Sequence, residues 1–490
     1  MEIATNVKKS QKSERNRIVK RLITITLALI VLYSCKKEFV YKSSGALGFS
    51  TDTVRIDTIF TTFPSPSYRL FVYNKNSYAV KIKTIKLRGG SNSEFQITVD
   101  GITGIEHHDV TLEPNDSIYI FVSLKSNEKE KIVQDYIDFE LDNRKEVVVL
   151  QAYVKDAYFY RGVDSVYVFD CNTVLGSDKP HIIDGIAYVP ENCTLTIQAG
   201  AEIRFSSVKN KYAIPISQIL VDGTLLLEGQ PEKRVLFDTW RLDKGYREGS
   251  GQWFGLHFLK NSKNSRIQYA LLKNGHIAIQ VDSMSLSSEP KVAIEQTEIR
   301  NFSNFGILGL GAHAFNAIPS IKMVNCLVYN CGQSNVGLYF GGTYEFEHCT
   351  FVNYSREIRR TEPVLSIADY LDYEENGVTN RIIYPMKTYF SSCIIYGSEE
   401  QEWKSDFKGN QAEILFENCL IKNKPEVNVP GNNNIFNQDP KFKNVNERDF
   451  GLLESSPCID KGKFPSDISI DLWGKPRMQV PDIGAVEYIP

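Results

Sequence analysis

Four segments of the chain share one short pattern: MVNCLVYN (323–330), FEHCTFVN (346–353), FSSCIIYG (390–397) and FENCLIKN (416–423). Aligned on Cys326, Cys349, Cys393 and Cys419, they stand 23, 44 and 26 residues apart, which reads as single periods on either side of a doubled one. Upstream, Ala270 in RIQYALLKNG and Thr297 in AIEQTEIRN take the same frame, at spacings of 27 and 29. A unit of this length, built on short β-branched runs, cannot bury its own apolar face and must stack on its neighbours. The frame position is small in all six units, as expected where inward side chains of a parallel ladder stack about 4.8 Å apart. The pattern predicts a right-handed parallel β-helix.

A chain of 490 residues is too long for one ordinary domain. A net charge of −3 offers no basic excess, which argues against nucleic acid as a partner. The fold class expected is all-β: an N-terminal immunoglobulin-like β-sandwich, a β-helix solenoid, and a C-terminal cap. Seven strand-like runs lie between Thr53 and Val154: TVRIDTIF, YRLFVYN, VKIKTIKL, FQITV, SIYIFVSL, YIDFEL and VVVLQAYV. Turn residues separate them, which is the spacing of a small sandwich. The Cys…Trp…Cys core of antibody domains is missing, so the likeness is architectural, and His107-His108 reads as an exposed loop pair. The solenoid is expected over 156–435, with Gly200, Gly223 and Gly229 at corners that need positive φ. An irregular insertion from about Arg356 to Pro385 falls where the missing frame position belongs. Residues 436–490, rich in Gly and Pro, read as a cap over the open end of the ladder.

The N-terminus reads as targeting. Seven Lys and Arg residues between Lys8 and Arg21 precede an eleven-residue apolar run, Leu22 to Leu32, that is too short to span a bilayer. It ends Leu32-Tyr33-Ser34-Cys35, which resembles the lipobox of bacterial lipoproteins. That implies a signal peptide over 1–34, acylation of Cys35 and a lipidated tether over 35–52, so the chain would reach the membrane through its lipid anchor. Lys36-Lys37-Glu38 lacks an acidic run for surface export, favouring a periplasm-facing position at the outer membrane. The cysteines of the repeat read as buried, reduced packing residues. No C-x-x-C or Cys/His cluster suggests a metal, and no cofactor is expected.

Other stretches carry a wider likeness: DTIFTT (57–62), NDSIYIFV (115–122), LTIQAGAEIRF, VDGTLLLEG, RLDKGYREGSGQWFGLHF (241–258), and DPKF, SPCIDKG, DLWGKPR and PDIGAVEY near the C-terminus. Together they resemble a group of Bacteroidota lipoproteins with a right-handed parallel β-helix and a terminal segment shared by envelope β-helix proteins. The resemblance implies a fold and a compartment, and no established activity.

Two functional classes follow. One is a non-catalytic envelope protein that binds glycan or another envelope component, or serves as a scaffold. The alternative is a carbohydrate-active enzyme, a polysaccharide lyase or hydrolase. Hydrolysis needs converging carboxylates, and lyase chemistry needs a base near a carboxylate-held Ca²⁺. The chain has no Asp-Asp and no Arg-x-Lys, and no coil-spaced Asp/Glu column is evident. The candidate ligand-binding residues are Trp240, Arg241, Asp243, Tyr246 and Arg247, in a polar loop leading to Trp253. Their aromatics could stack on sugar rings and their charges orient them. The competing structural reading pairs Arg241 with Asp243 or Glu248 and packs Trp253 under the coil. The insertion, with Arg356, Arg359, Arg360, Asp369, Asp372, Glu374 and Glu375, reads as a solvated, mutually neutralising loop.

Overall fold

A computed structural model describes residues 45–490 apart from 62, 64, 128–129, 244, 312–316, 355–359, 361, 376 and 465. Cys35 and most of the expected tether lie outside these residues. The chain is all-β and divides into two compact units.

All seven strand-like runs of the first unit form strands, arranged in two five-stranded antiparallel sheets. One sheet orders Leu47–Phe49, Tyr68–Asn74, Ser117–Leu124, Phe95–Val99 and Ile102–Gly104; the other orders Thr53–Phe60, Lys145–Lys155, Lys131–Glu140, Val80–Leu87 and Glu106–Leu112. Alternation aims one face inward, so Leu70, Val72, Ile120 and Val122 meet Ile82, Ile137, Phe139 and Leu150 in a buried sandwich core. Leu47–Phe49 is a strand inside the stretch expected to be tether. His107-His108 is likewise on a strand and not in a loop, with Ile85 and Thr84 as its ladder partners. As an edge strand it can carry polar residues on both faces, which hid it from a search for alternation.

The second unit is a parallel β-solenoid whose coils each contribute three short strands. One coil runs Ile321–Val324, Leu327–Cys331 and Ser334–Tyr339, before the next begins at Gly342–Glu347. The three resulting ladders enclose a continuous apolar core. The first corner has a recurrent device. Tyr269, Gln296, Asn325, His348, Ser392, Asn418 and Asn433 all have φ between +43° and +58°. A single left-handed residue thus turns the chain, and Asn tolerates that region better than most. The next residue on each coil is the frame position, and Ala270, Thr297, Cys326, Cys349, Cys393 and Cys419 are fully buried there. The four cysteines are free thiols, stacked in one column. A second column of left-handed asparagines hydrogen-bonds coil to coil. Asn274 Nδ2 donates to Asp238 Oδ1 at 2.7 Å, Asn301 Nδ2 to Asn274 Oδ1 at 3.2 Å, and Asn330 Nδ2 to Asn301 Oδ1.

Further expectations change. The 44-residue gap is one coil and not two, because Gly342–Glu347 pairs directly with Met386–Ser391, and Thr350 with Ile394. The extra length leaves the ladder as an antiparallel hairpin, Tyr370–Glu375 with Val378–Ile383. Gly200 does have φ +79°, but Gly223 and Gly229 are needed for close approach: a Cβ on either would lie 2.2 Å from a backbone carbonyl of another turn. Cys171 and Cys193, outside the repeat, form a disulfide that spacing did not suggest.

The C-terminal segment is a strap along the solenoid's flank. It runs back over the left-handed corner: Gly484 N donates to Ser392 O, Arg477 Nη2 to Asn325 Oδ1 at 2.6 Å, and Arg234 Nη2 to Leu472 O at 3.1 Å. Its Phe442, Leu452, Cys458, Leu472 and Ile483 share a separate apolar cluster with Leu327, Val352, Ile394 and Leu420. Val427 and Val429, upstream of the strap, pack on the last core residues. The corner's left-handed side chains supply polar anchors at coil spacing, so a flank position satisfies more of the strap than the open end could.

Candidate functional site

One outward-facing column organises the candidate surfaces. Ladder pairing sets Arg204 beside Asp238, Lys273 beside Arg300, Arg300 beside Tyr329, and Val352 beside Tyr396. Lys422, next to the Ile421 that pairs with Ile395, continues the column. Its first half is charged and its second half is aromatic and basic.

The charged half is covered by the predicted loop. Glu248 accepts from Arg300 Nη1 at 2.5 Å, Arg448 Nη1 at 2.6 Å and Asn301 Nδ2 at 2.9 Å, with Lys273 Nζ 3.6 Å away. Burial raises the cost of its charge, but the cations outweigh this and hold the carboxyl down at about 2. Arg204 Nη1 and Lys273 Nζ reach Asp238 at 3.2 and 3.3 Å, in the same network.

The loop's own candidates are largely engaged with one another. Arg241 makes a two-pronged pair with Asp243, at 3.0 and 2.9 Å, while its guanidinium lies 3.3 Å from the centroid of Tyr246. The Asp243 carbonyl accepts from the amides of Tyr246 and Arg247, and Arg247 Nε donates to Leu242 O. Trp240 is half-buried and its amide donates to Phe205 O. Trp253 is fully buried, stacked 4.2 Å from Phe205, and donates to Lys273 O at 2.8 Å. Tyr246 keeps 43% of its surface exposed and is the group the loop presents most openly. In the insertion, Asp372 pairs with Arg381, and buried Asp369 accepts from Lys408 N and Gly409 N, each at 2.8 Å. Arg360 bonds the buried Glu402. Arg356 and Arg359 lie outside the described residues; Glu374 and Glu375 are exposed.

The aromatic half of the column was not anticipated. Tyr329 is buried under the strap by Phe450, at 4.9 Å, and donates to Glu298. Beyond it the strap parts from the coils and leaves a shallow cleft of about 520 Å³. Tyr354, Tyr396, Lys422, Asp439, Lys441 and Phe442 are among its lining. The two tyrosine rings lie 6.3 Å apart at 40°. Lys422 Nζ sits 5.1 Å from the Tyr396 centroid and donates to Gly397 O at 2.7 Å. Burial first, then for Tyr354 the neighbouring Tyr396, and for both the carboxylates of Asp439 and Glu402, push the phenols above their ordinary range, so they stay protonated and can donate. Among the described residues neither hydroxyl has a hydrogen-bond partner. Tyr396 and Lys422 share an offset of three from their frame cysteines, so this half of the cleft follows from the repeat once its frame is fixed. Tyr354, Asp439 and Lys441 come from a coil exit and the strap, which no periodicity reports.

The nearest acid–base grouping is on another outward face. His257 Nε2 lies 2.7 Å from Asp282 Oδ2, and Lys291 Nζ donates to Lys260 O, Asp282 O and Ser283 Oγ. Lys291 is fully buried with three acceptors for its three protons, which fits a bracket between coils. Among the described residues, no group of three or more His, Cys, Asp or Glu side chains is placed to hold a metal.

No family model matches the chain, and no curated protein matches it. Among solved structures, the chain is similar to the ASH/PapD-like domain 7 of human CEP192, with 12% identity over 25% of this chain and 92% of that one, at a TM-score of 0.16. It is also similar to a family 123 glycoside hydrolase from Clostridium perfringens that hydrolyses glycolipid glycans, with 10% identity over 24% of this chain and 30% of that one, at a TM-score of 0.17. Scores at this level bear on neither architecture nor activity, and the architecture rests on the strand pairings themselves.

Proposed function

We propose that the chain is a lipid-anchored envelope protein, of the Bacteroidota right-handed parallel β-helix kind, that holds a glycan in the Tyr354–Tyr396 cleft without cleaving it. The observation that carries this reading is the pair of half-buried phenols beside Lys422, whose hydroxyls have no partner among the described residues, in a cleft of about 520 Å³. A sugar ring offers an apolar face to such rings and hydroxyls to the phenols, and the lysines can orient an acidic group. The proposed anchor is an acylated Cys35 on the periplasmic side of the outer membrane. The right-handed sense is the one parallel crossovers adopt.

A glycan-binding screen with the chain from Lys36 onward tests the cleft. Tyr396→Ser and Tyr354→Ser should each weaken capture at least tenfold while the melting temperature stays within a few degrees. A wild type that binds no sugar would leave a scaffold role. Metabolic labelling with a fatty acid tests the anchor: Cys35→Ala should abolish incorporation, and labelling that persists would overturn it.

A further inference from the structure

In antiparallel sheets with one solvated face, the outward positions are normally polar. The five-stranded sheet that begins at Leu47–Phe49 departs from this. Its outward residues on Tyr68–Asn74 include Phe71 and Tyr73, and those on Ser117–Leu124 include Tyr119 and Phe121. The four rings form one contiguous group: Phe71 to Tyr73 is 6.2 Å, Phe71 to Tyr119 is 6.3 Å and Tyr119 to Phe121 is 5.2 Å. Tyr119 is 53% exposed and the other three are half-buried. On either side the sheet falls away to small or hydroxylated residues, Gly48 next to Tyr73, and Thr98 bonded to Thr103 at 2.8 Å. The rings therefore form a row across the outer face of the two central strands.

Within the row itself the one charged side chain among the described residues is basic. Exposed Arg69 lies in the same outward row as Phe71 and Tyr73; exposed Lys75 and Lys125 follow the ends of the two central strands, where the turns also carry Asp116, Asp100 and Glu94. None of the outward residues on these strands is Asp or Glu. The N-terminal part of the chain also arrives here. The first described residue is Gly45, and Leu47–Phe49 is the edge strand paired with the one carrying Phe71 and Tyr73. Cys35 stands twelve residues before Leu47, a span of at most about 40 Å.

We propose that this aromatic face is a membrane-docking surface, resting on a bilayer with anionic headgroups while the lipid on Cys35 supplies the anchor. Tyr suits the headgroup boundary, where one end of the ring is apolar and the other wet, and Phe adds apolar area facing the acyl chains. Arg69 within the row, with Lys75 at its end, adds attraction to anionic lipid. The geometry of the tether rests on the lipid-anchor reading of Cys35; the face itself can be tested without it.

The test is co-sedimentation of the non-acylated chain from Lys36 onward, which keeps every described residue, with vesicles of phosphatidylcholine alone or mixed with phosphatidylglycerol. The wild type should sediment with the anionic vesicles and be released by salt. Phe71→Ser/Tyr119→Ser should lower the partition at least tenfold. Arg69→Glu/Lys75→Glu, which leaves the rings in place, should abolish the preference for phosphatidylglycerol. Tyr396→Ser should sediment like the wild type, which separates failure here from failure of the glycan cleft. The proposal is overturned if the wild type does not sediment, or if the ring variant still does. It is equally overturned if the rings instead mediate capture of a soluble acidic polysaccharide, or self-association of the chain in analytical ultracentrifugation.

Discussion

The two halves of the solenoid's outward column put similar residue types to different uses. Around Lys273 and Arg300, every charge meets a counter-charge within 3.6 Å, and the loop that supplies Glu248 is itself tied by the Arg241–Asp243 pair. Around Tyr396 and Lys422, the phenols have no hydrogen-bond partner among the described residues and the surface opens into a cleft. Aromatic and charged residues close together in sequence satisfy one another locally, so a loop rich in both is a poor guide to free binding groups. Residues from distant segments converge without that mutual satisfaction, and there a ligand can find unspent hydrogen-bonding capacity.

The hardest way to break the contrast is from beneath the charged half. Trp253→Ala should destabilise the solenoid by roughly 3–5 kcal/mol. The ring is fully buried, stacks on Phe205 at 4.2 Å and donates to Lys273 O. Chemical denaturation should show the loss, and a change under 1 kcal/mol would mean that the loop is not fastened to the core.

The strap comes next. Arg477 and Glu487 are a buried pair 2.9 Å apart, with side chains 1% exposed, and Arg477 also donates to Asn325 and Gly484. Arg477→Ala leaves Glu487 buried without its cation and should cost about 3 kcal/mol. Because the strap borders the cleft, the same variant should lower glycan capture and raise proteolysis within 436–490. Equal cleavage of variant and wild type would separate the strap from the cleft's shape.

Most of this architecture could be read from the repeat. The small frame position predicted the cysteine column, and the preceding residue, Asn in two of the four quoted segments, is where the chain must enter the left-handed region. What the repeat could not report was the strap's course, since its anchors are spread over 152 residues of separation, as between Asn325 and Arg477. Nor could it tell one long coil from two, because a hairpin leaving the ladder adds length without adding a rung. The outward aromatics of the sandwich were visible as YRLFVYN and SIYIFVSL, but β-rich sequences use Tyr and Phe inside and out. Their common face emerged only from the register of the two strands.

Acid should expose the charged half more selectively than mutation of the core. The folded carboxyl of Glu248 titrates at about 2 against an ordinary 4.5, so its stabilisation is present above pH 4.5 and is lost as pH falls towards 2. With 40% of the side chain exposed, solvent screening limits the effect to on the order of 1 kcal/mol. Glu248→Gln should therefore be less stable than the wild type at pH 6 and converge on it near pH 2. Parallel curves across that window would show that Glu248 does not carry the linkage.

The smallest expected effect decides between the two halves. Tyr246 and Arg247 lie on the loop surface: Tyr246 is 43% exposed, and Arg247 has 59% of its side chain in solvent. Removing both leaves the Arg241–Asp243 pair, the Glu248 cluster and Trp253 in place, so Tyr246→Ala/Arg247→Ala should change stability by less than about 0.5 kcal/mol. If the cleft is where glycan binds, this double variant should bind as the wild type does, while Tyr396→Ser loses capture. If the double variant loses binding and Tyr396→Ser retains it, the ligand lies over the loop, with Tyr246 as the stacking ring and Arg247 as the orienting charge. The two variants differ little in fold stability, so the comparison turns on the ligand alone.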